Sequence, residues 1–179
     1  MDVNLSKLFP SLKQLAPVYS VAVVIIYGWS ILRFFWRLPS FLNYATAGEI
    51  GVIFSYLMTV NLLESLAVVS GPVVLSLILP QKWFFERFVT KSVLLVSLGL
   101  GYMVYIESHI NTDEPFPYTL FRWAPLVFLL IFVLVFLLDR ITFLTKILEV
   151  ISDRLEVFLY ISIPVSAVSF LVVLVRNIL

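Results

Sequence analysis

Residues 50–79 read IGVIFSYLMTVNLLESLAVVSGPVVLSLIL and carry a single charge, Glu64. A run this long and apolar has few folded destinations. A helix crossing a bilayer needs ~20 consecutive apolar residues, and a helix that is hydrophobic all round must be buried in protein or lipid. The bias extends over the whole chain, which is 61% hydrophobic and 13% charged, against roughly 25% charged in an ordinary soluble domain. So few charged side chains cannot cover a water-facing surface, so lipid must serve as solvent. The expected fold is all-α, a polytopic transmembrane bundle of about five spans forming one integral membrane domain over residues 1–179.

The spans follow from the apolar runs and their breaks. The first covers 17–35, with Pro17 suited to a first helical turn, where its missing N–H is not needed. Arg33, Trp36 and Arg37 close it as an interfacial collar, a turn follows at Leu38-Pro39-Ser40, and Phe41–Ala47 lies along the interface. Lys7 and Lys13 ahead of the apolar run resemble a signal peptide, but no small-residue cleavage site follows, so the run is expected to be retained.

The second span covers 49–79 and would be ~45 Å long if straight, beyond a hydrocarbon core of ~30 Å. Gly71-Pro72 is its expected kink. Residues 80–91 mix Lys82, Arg87 and Lys91 with Trp83, Phe84, Phe85 and Phe88, the composition of a headgroup-level connection. The third span is 92–107, with Ser97 and Gly101 as a small-residue packing face. The fourth is 120–138, with Arg122 snorkelling. The fifth is 157–175, with Pro164 and a serine face at Ser162, Ser166 and Ser169.

Between the last two spans, residues 139–156 change character. Ile141, Leu144, Leu148, Ile151 and Leu155 recur in steps of three and four among charged neighbours, an amphipathic helix with a narrow apolar stripe. Its charges nearly balance, whereas helices that seek anionic lipid are usually rich in Lys and Arg. The stripe is therefore expected to contact protein, within the chain or between chains. Counting Lys and Arg at the span ends puts about eight on the side of the N-terminus and about four on the other. The positive-inside rule then sets the N-terminus and the amphipathic helix in the cytoplasm and the C-terminus outside, with a cytoplasmic (inner) membrane as the expected location.

Glu64 carries the main functional signal. A carboxylate at mid-span costs at least ~2.5 kcal/mol in hydrocarbon, so it should face protein or water. Asn61 stands one turn before it and Ser65 adjoins it; Leu57, Asn61, Glu64, Val68 and Pro72 share a face. Two readings compete. Glu64 is a proton or cation site, with Pro72 freeing backbone carbonyls as further ligands. Otherwise it is protonated and pins a neighbouring helix by a hydrogen bond.

Elsewhere the chain offers little chemistry. It has no cysteine and one histidine, His109, which removes disulfides, thiolate metal sites and two-histidine zinc motifs. Glu107, His109, Asp113 and Glu114 match no ligand pattern and read as solvated loop residues. Neither a phosphate-binding GxxxxGK[ST] loop nor a GxSxG elbow is present. A net charge of +1 argues against nucleic-acid binding. No cofactor and no enzymatic activity are expected. The leading expectation is a non-enzymatic accessory, scaffold or assembly subunit of a larger membrane complex, whose partners are the lipid bilayer and a membrane protein or further copies of itself. The alternative is a small transporter or channel subunit built on Glu64.

Overall fold

A computed structural model describes residues 9–109 and 118–178, and among these it contains helices and turns and no strand. The five long apolar helices are α1 (Leu12–Tyr44), α2 (Ala47–Ile78), α4 (Phe88–Ser108), α5 (Tyr118–Leu138) and α7 (Leu159–Ile178). A single turn, α3 (Gln81–Phe84), precedes α4, and an amphipathic helix, α6 (Thr142–Leu155), precedes α7 through a 3₁₀ turn at Glu156–Phe158. Four segments are long and apolar enough to cross a bilayer, counting α6 and α7 as one; α5 contributes a shorter apolar stretch, Arg122–Leu138. The chain is a polytopic helical membrane bundle. The end holding the start of α1 is the proximal end, and the opposite end is the distal one.

Two boundaries differ from the sequence expectation. The first helix begins at Leu12, not Pro17, because Ser11 and Gln14 form a capping box in which the Ser11 N–H donates to Gln14 Oε1 at 2.9 Å. Pro17 lies inside the helix; the carbonyl it leaves free is that of Lys13, an exposed residue near the helix end. Nor does the chain turn at Leu38-Pro39-Ser40. The helix continues through Pro39 to Tyr44, at an exposed stretch where water can reach the carbonyl that proline deprives of a partner. The reversal falls instead at Ala45-Thr46, where Thr46 and Glu49 form a second capping box that starts α2.

The packing centres on α1, which touches α2, α4, α6 and α7. Up-and-down connections make α1 antiparallel to α2, and α5 lies outside, against α4. At the proximal end Val18, Val21 and Ala22 of α1 pack with Val69 of α2, Phe84 of α3, and Phe88, Val93 and Val96 of α4. Helix α7 is organised the other way round from a soluble helix. Its buried residues are Ser162, Ser166 and Ser169, while its large apolar side chains face outward. Small residues let helix axes approach closely when lipid covers the rest, and the Tyr27 hydroxyl pairs with Ser166 Oγ at 2.7 Å.

The small-residue face foreseen on α4 is displaced. A side chain at Gly101 would meet nothing within 4 Å; Gly99 is the glycine that α5 approaches, with Phe128 at 3.9 Å from its Cβ position.

Candidate functional site

The distal half of the bundle holds a cavity of about 860 Å³ between α1, α2 and α4. Both α2 and α4 touch α1 beside it, through the Ser30–Asn61 hydrogen bond, the Phe34–Phe54 ring contact and the Arg33–Glu107 ion pair. Val68 and Leu100 are packed against the core and also line the cavity, which makes them its floor. On α1 the lining residues recur at three- and four-residue steps: Ile25, Ile26, Trp29, Ser30, Arg33, Phe34 and Arg37. On α2 they are Ile53, Tyr56, Leu57, Val60, Asn61, Glu64, Ala67 and Val68. Helix α4 adds Leu100, Met103, Val104 and Glu107.

Four polar levels can be followed down this cavity. Arg37 stands at the outer level and makes no ion pair with a described residue. One turn deeper Arg33 forms an ion pair with Glu107 of α4, whose second oxygen accepts from the Trp29 ring N–H at 2.6 Å. Below them the Ser30 hydroxyl donates to Asn61 Oδ1 at 2.9 Å, joining α1 to α2. Asn61 is 1% exposed, and its Nδ2 finds no hydrogen-bond acceptor among the described residues. Glu64 is the deepest level, ~4.5 Å beyond Asn61 at 1.5 Å per residue. Its side chain lines the cavity and has neither hydrogen bond nor ion pair to a described residue.

Of the three residues singled out around the acid, the fold brings two together. Asn61 and Glu64 share the cavity wall with Leu57 and Val68, as their spacing required. Ser65 turns away: it is fully buried, donating to Leu62 O at 2.9 Å and to Tyr19 Oη at 3.3 Å. Pro72 is buried proximally, away from the cavity, so the carbonyls it could free are not offered to Glu64. The inter-helix pin expected of Glu64 is made by Asn61 instead. Ser30, Trp29, Arg33 and Glu107 were missed as site residues. The α1 members were detectable, because Trp29, Arg33 and Arg37 repeat every four residues; Glu107 was not, since only the α1–α4 packing carries it there.

The amphipathic stripe of α6 divides. Leu144, Leu148 and Leu155 pack against the core clusters, with Thr145 and Ser152 buried between them. Ile141 and Ile151 are exposed, at 49% and 48%. Helix α6 lies across the proximal ends of α1 and α4: Ser20 Oγ donates to Ser152 O at 3.1 Å and Thr90 Oγ1 to Glu149 Oε1 at 3.2 Å. Beside it sits a buried charge cluster. Lys91 Nζ lies 3.5 Å from Asp139 Oδ2 and donates to the Trp83 carbonyl, while Arg87 donates to the Asp139 carbonyl at 2.7 Å.

Among the described residues no group of three His, Asp or Glu side chains could hold a metal ion. Asp113 and Glu114 lie outside the described residues, and His109 is exposed and bonded to Ser108 and to the Tyr105 carbonyl. No family model, no curated protein and no solved structure matches this chain. The fold and the cavity together define its class: a small multi-pass helical membrane protein with an acid-bearing cavity between α1, α2 and α4.

Proposed function

We propose that this protein is a small transporter or channel subunit in which Glu64 is the intramembrane proton or cation site. One observation carries the reading: Glu64 faces a cavity and has no described protein partner to neutralise it. An ionisable side chain inside a span that served only structure would be paired or hydrogen-bonded to a neighbouring helix, because the unpaired charge is costly there. Asn61 already supplies the helix–helix hydrogen bond at this level, which leaves the carboxylate free to bind. The proposed setting is a cytoplasmic membrane, with the proximal end and α6 in the cytoplasm and the cavity opening outward, following the Lys and Arg bias. Reporter fusions after Lys13 and after Asn177 check this: a cytoplasmic signal at Asn177 overturns the orientation.

The functional test uses purified full-length protein in liposomes holding a pH-sensitive dye, with a potassium diffusion potential imposed by valinomycin. Wild type should acidify or alkalise the lumen faster than protein-free vesicles, and Glu64→Gln should lose at least about tenfold of that rate while reconstituting equally well. Equal rates for wild type and Glu64→Gln dispose of the proton-site reading. The same assay with sodium or potassium and a matching lumenal dye covers the cation case.

A second reading, an accessory or assembly subunit, rests on α6. Phe143, Ile147 and Val150 form an exposed apolar line on the face away from the α1–α4 contact, at 76%, 37% and 53%. Phe143→Asp with Val150→Asp should release a co-purifying membrane protein or shift a homo-oligomer to monomer. Unchanged assembly removes this reading.

A further inference from the structure

We infer that the distal cavity takes a zwitterionic organic solute, with its ammonium group at Glu64 and its acidic group at Arg37, joined by an apolar body. This deepens the proposal above and rests on Glu64 being a cation site. The charged residues lining the cavity are Arg33, Arg37, Glu64 and Glu107, so the lining is neutral overall. Arg33 and Glu107 neutralise each other. What remains is one anion at the deeper end and one cation at the outer end, both exposed and neither paired with a described residue. A solute of net charge zero with opposite charges at its two ends complements that arrangement and leaves no charge uncompensated in low dielectric.

The separation of the two charges also argues against a compact ligand. Ser30 and Asn61 are hydrogen-bonded and fix a common level for α1 and α2. Arg37 lies seven residues beyond Ser30 and Glu64 three beyond Asn61 in the opposite sense, so their Cα atoms are ~15 Å apart along the bundle at 1.5 Å per residue. Side chains lean toward the N-terminus of their own helix. In antiparallel α1 and α2 this tilts Arg37 inward and Glu64 outward, which shortens the gap without closing it.

Between the two charges the wall is mainly Phe34, Leu57, Val60 and Met103. A bare metal ion is poorly served there. Calcium takes about six to eight oxygens and magnesium an octahedron, whereas Glu64 has only Asn61 and Ser30 near its level, already bonded to each other. The volume is far above that of an ion and falls within the ~300–1,000 Å³ of small-molecule sites.

The test measures binding of three probes to full-length protein in phosphatidylcholine nanodiscs by calorimetry: 8-aminooctanoate, octylammonium and octanoate. The expected result is that 8-aminooctanoate binds at least about tenfold more tightly than either single-charge probe. Glu64→Gln should weaken the two ammonium probes about tenfold and leave octanoate unchanged. Arg37→Gln, at an exposed position whose replacement spares the fold, should weaken the two carboxylate probes alike. Arg140→Gln, outside the cavity, should change none of them. If octylammonium binds as tightly as 8-aminooctanoate and Arg37→Gln is silent, the zwitterion inference fails while the Glu64 cation site stands. If no probe binds yet Glu64-dependent proton flux persists, the inference alone falls. Loss of both probe binding and Glu64-dependent flux removes the inference and the underlying proposal together.

Discussion

The same three helices, α1, α2 and α4, solve opposite problems at their two ends. Proximally they close on Val69, Phe84, Phe88 and Val93, and an ion-pair cluster of Lys91 and Asp139 is sealed to 7% and 11% side-chain exposure. Distally they part around an 860 Å³ cavity, whose acid, Glu64, has no described protein partner. The proximal pair is buried and self-neutralising; distally Arg33 and Glu107 also pair, but Glu64 stays exposed and unpaired with any described residue. A bundle this small keeps a cavity by concentrating its packing elsewhere.

The comparison can be broken most severely at Asp139. Asp139→Ala leaves Lys91 buried with its anion removed, and should cost ~3–5 kcal/mol in a reversible unfolding assay in detergent. Replacing Lys91 and Asp139 together by leucine should recover most of that loss, because no buried charge is then left unpaired and Arg87, half exposed, keeps its hydrogen bond to the backbone carbonyl of residue 139. If the single and double variants are equally unstable, the pair is not what closes the proximal end.

A similar loss is expected from truncating the aromatic packing. Phe88, 2% exposed, stacks edge-on to Phe84 at 6.0 Å between ring centroids, and Phe88→Ala should cost ~3–5 kcal/mol. Val60→Ala on the cavity wall, at 47% exposure, should stay within ~0.5 kcal/mol. Comparable losses at the two positions would erase the distinction between a packed and an open end.

Smaller effects sharpen it. Ser166→Leu inserts bulk where α7 meets α1, and overpacking of this kind costs ~1–3 kcal/mol. Tyr27→Phe removes only the hydroxyl pairing with Ser166 and should cost ~0.6 kcal/mol, the average for hydrogen bonds between membrane helices. If the hydroxyl loss exceeds the leucine insertion, polarity and not close approach holds α7 in place.

Much of the fold was legible because lipid simplifies the code. A run such as 50–79 has one stable destination, and the serine spacing of α7 marked the face that the structure buries. Helix ends were harder. Pro17 and Pro39 read as boundaries by local preference, yet both lie inside α1, since the capping boxes at Ser11 and Thr46 and access of water to the freed carbonyls outweighed one missing hydrogen bond each. The period of the α6 stripe marked a helix but could not say that Leu148 goes inward while Ile151 stays exposed. That depends on where α1 and α4 end.

By itself the chain of residues determined that lipid is the solvent, that helices are the form, and that Asn61 and Glu64 share a face one turn apart. Hydropathy and the 3.6-residue period are local properties, so they survive without knowledge of neighbours. Only the tertiary structure decided that Glu64 would meet space instead of a partner, that Ser65 would turn toward Tyr19, and that Glu107, far along the chain, would close on Arg33. These outcomes depend on how α1, α2 and α4 pack against one another, which is written in no single segment.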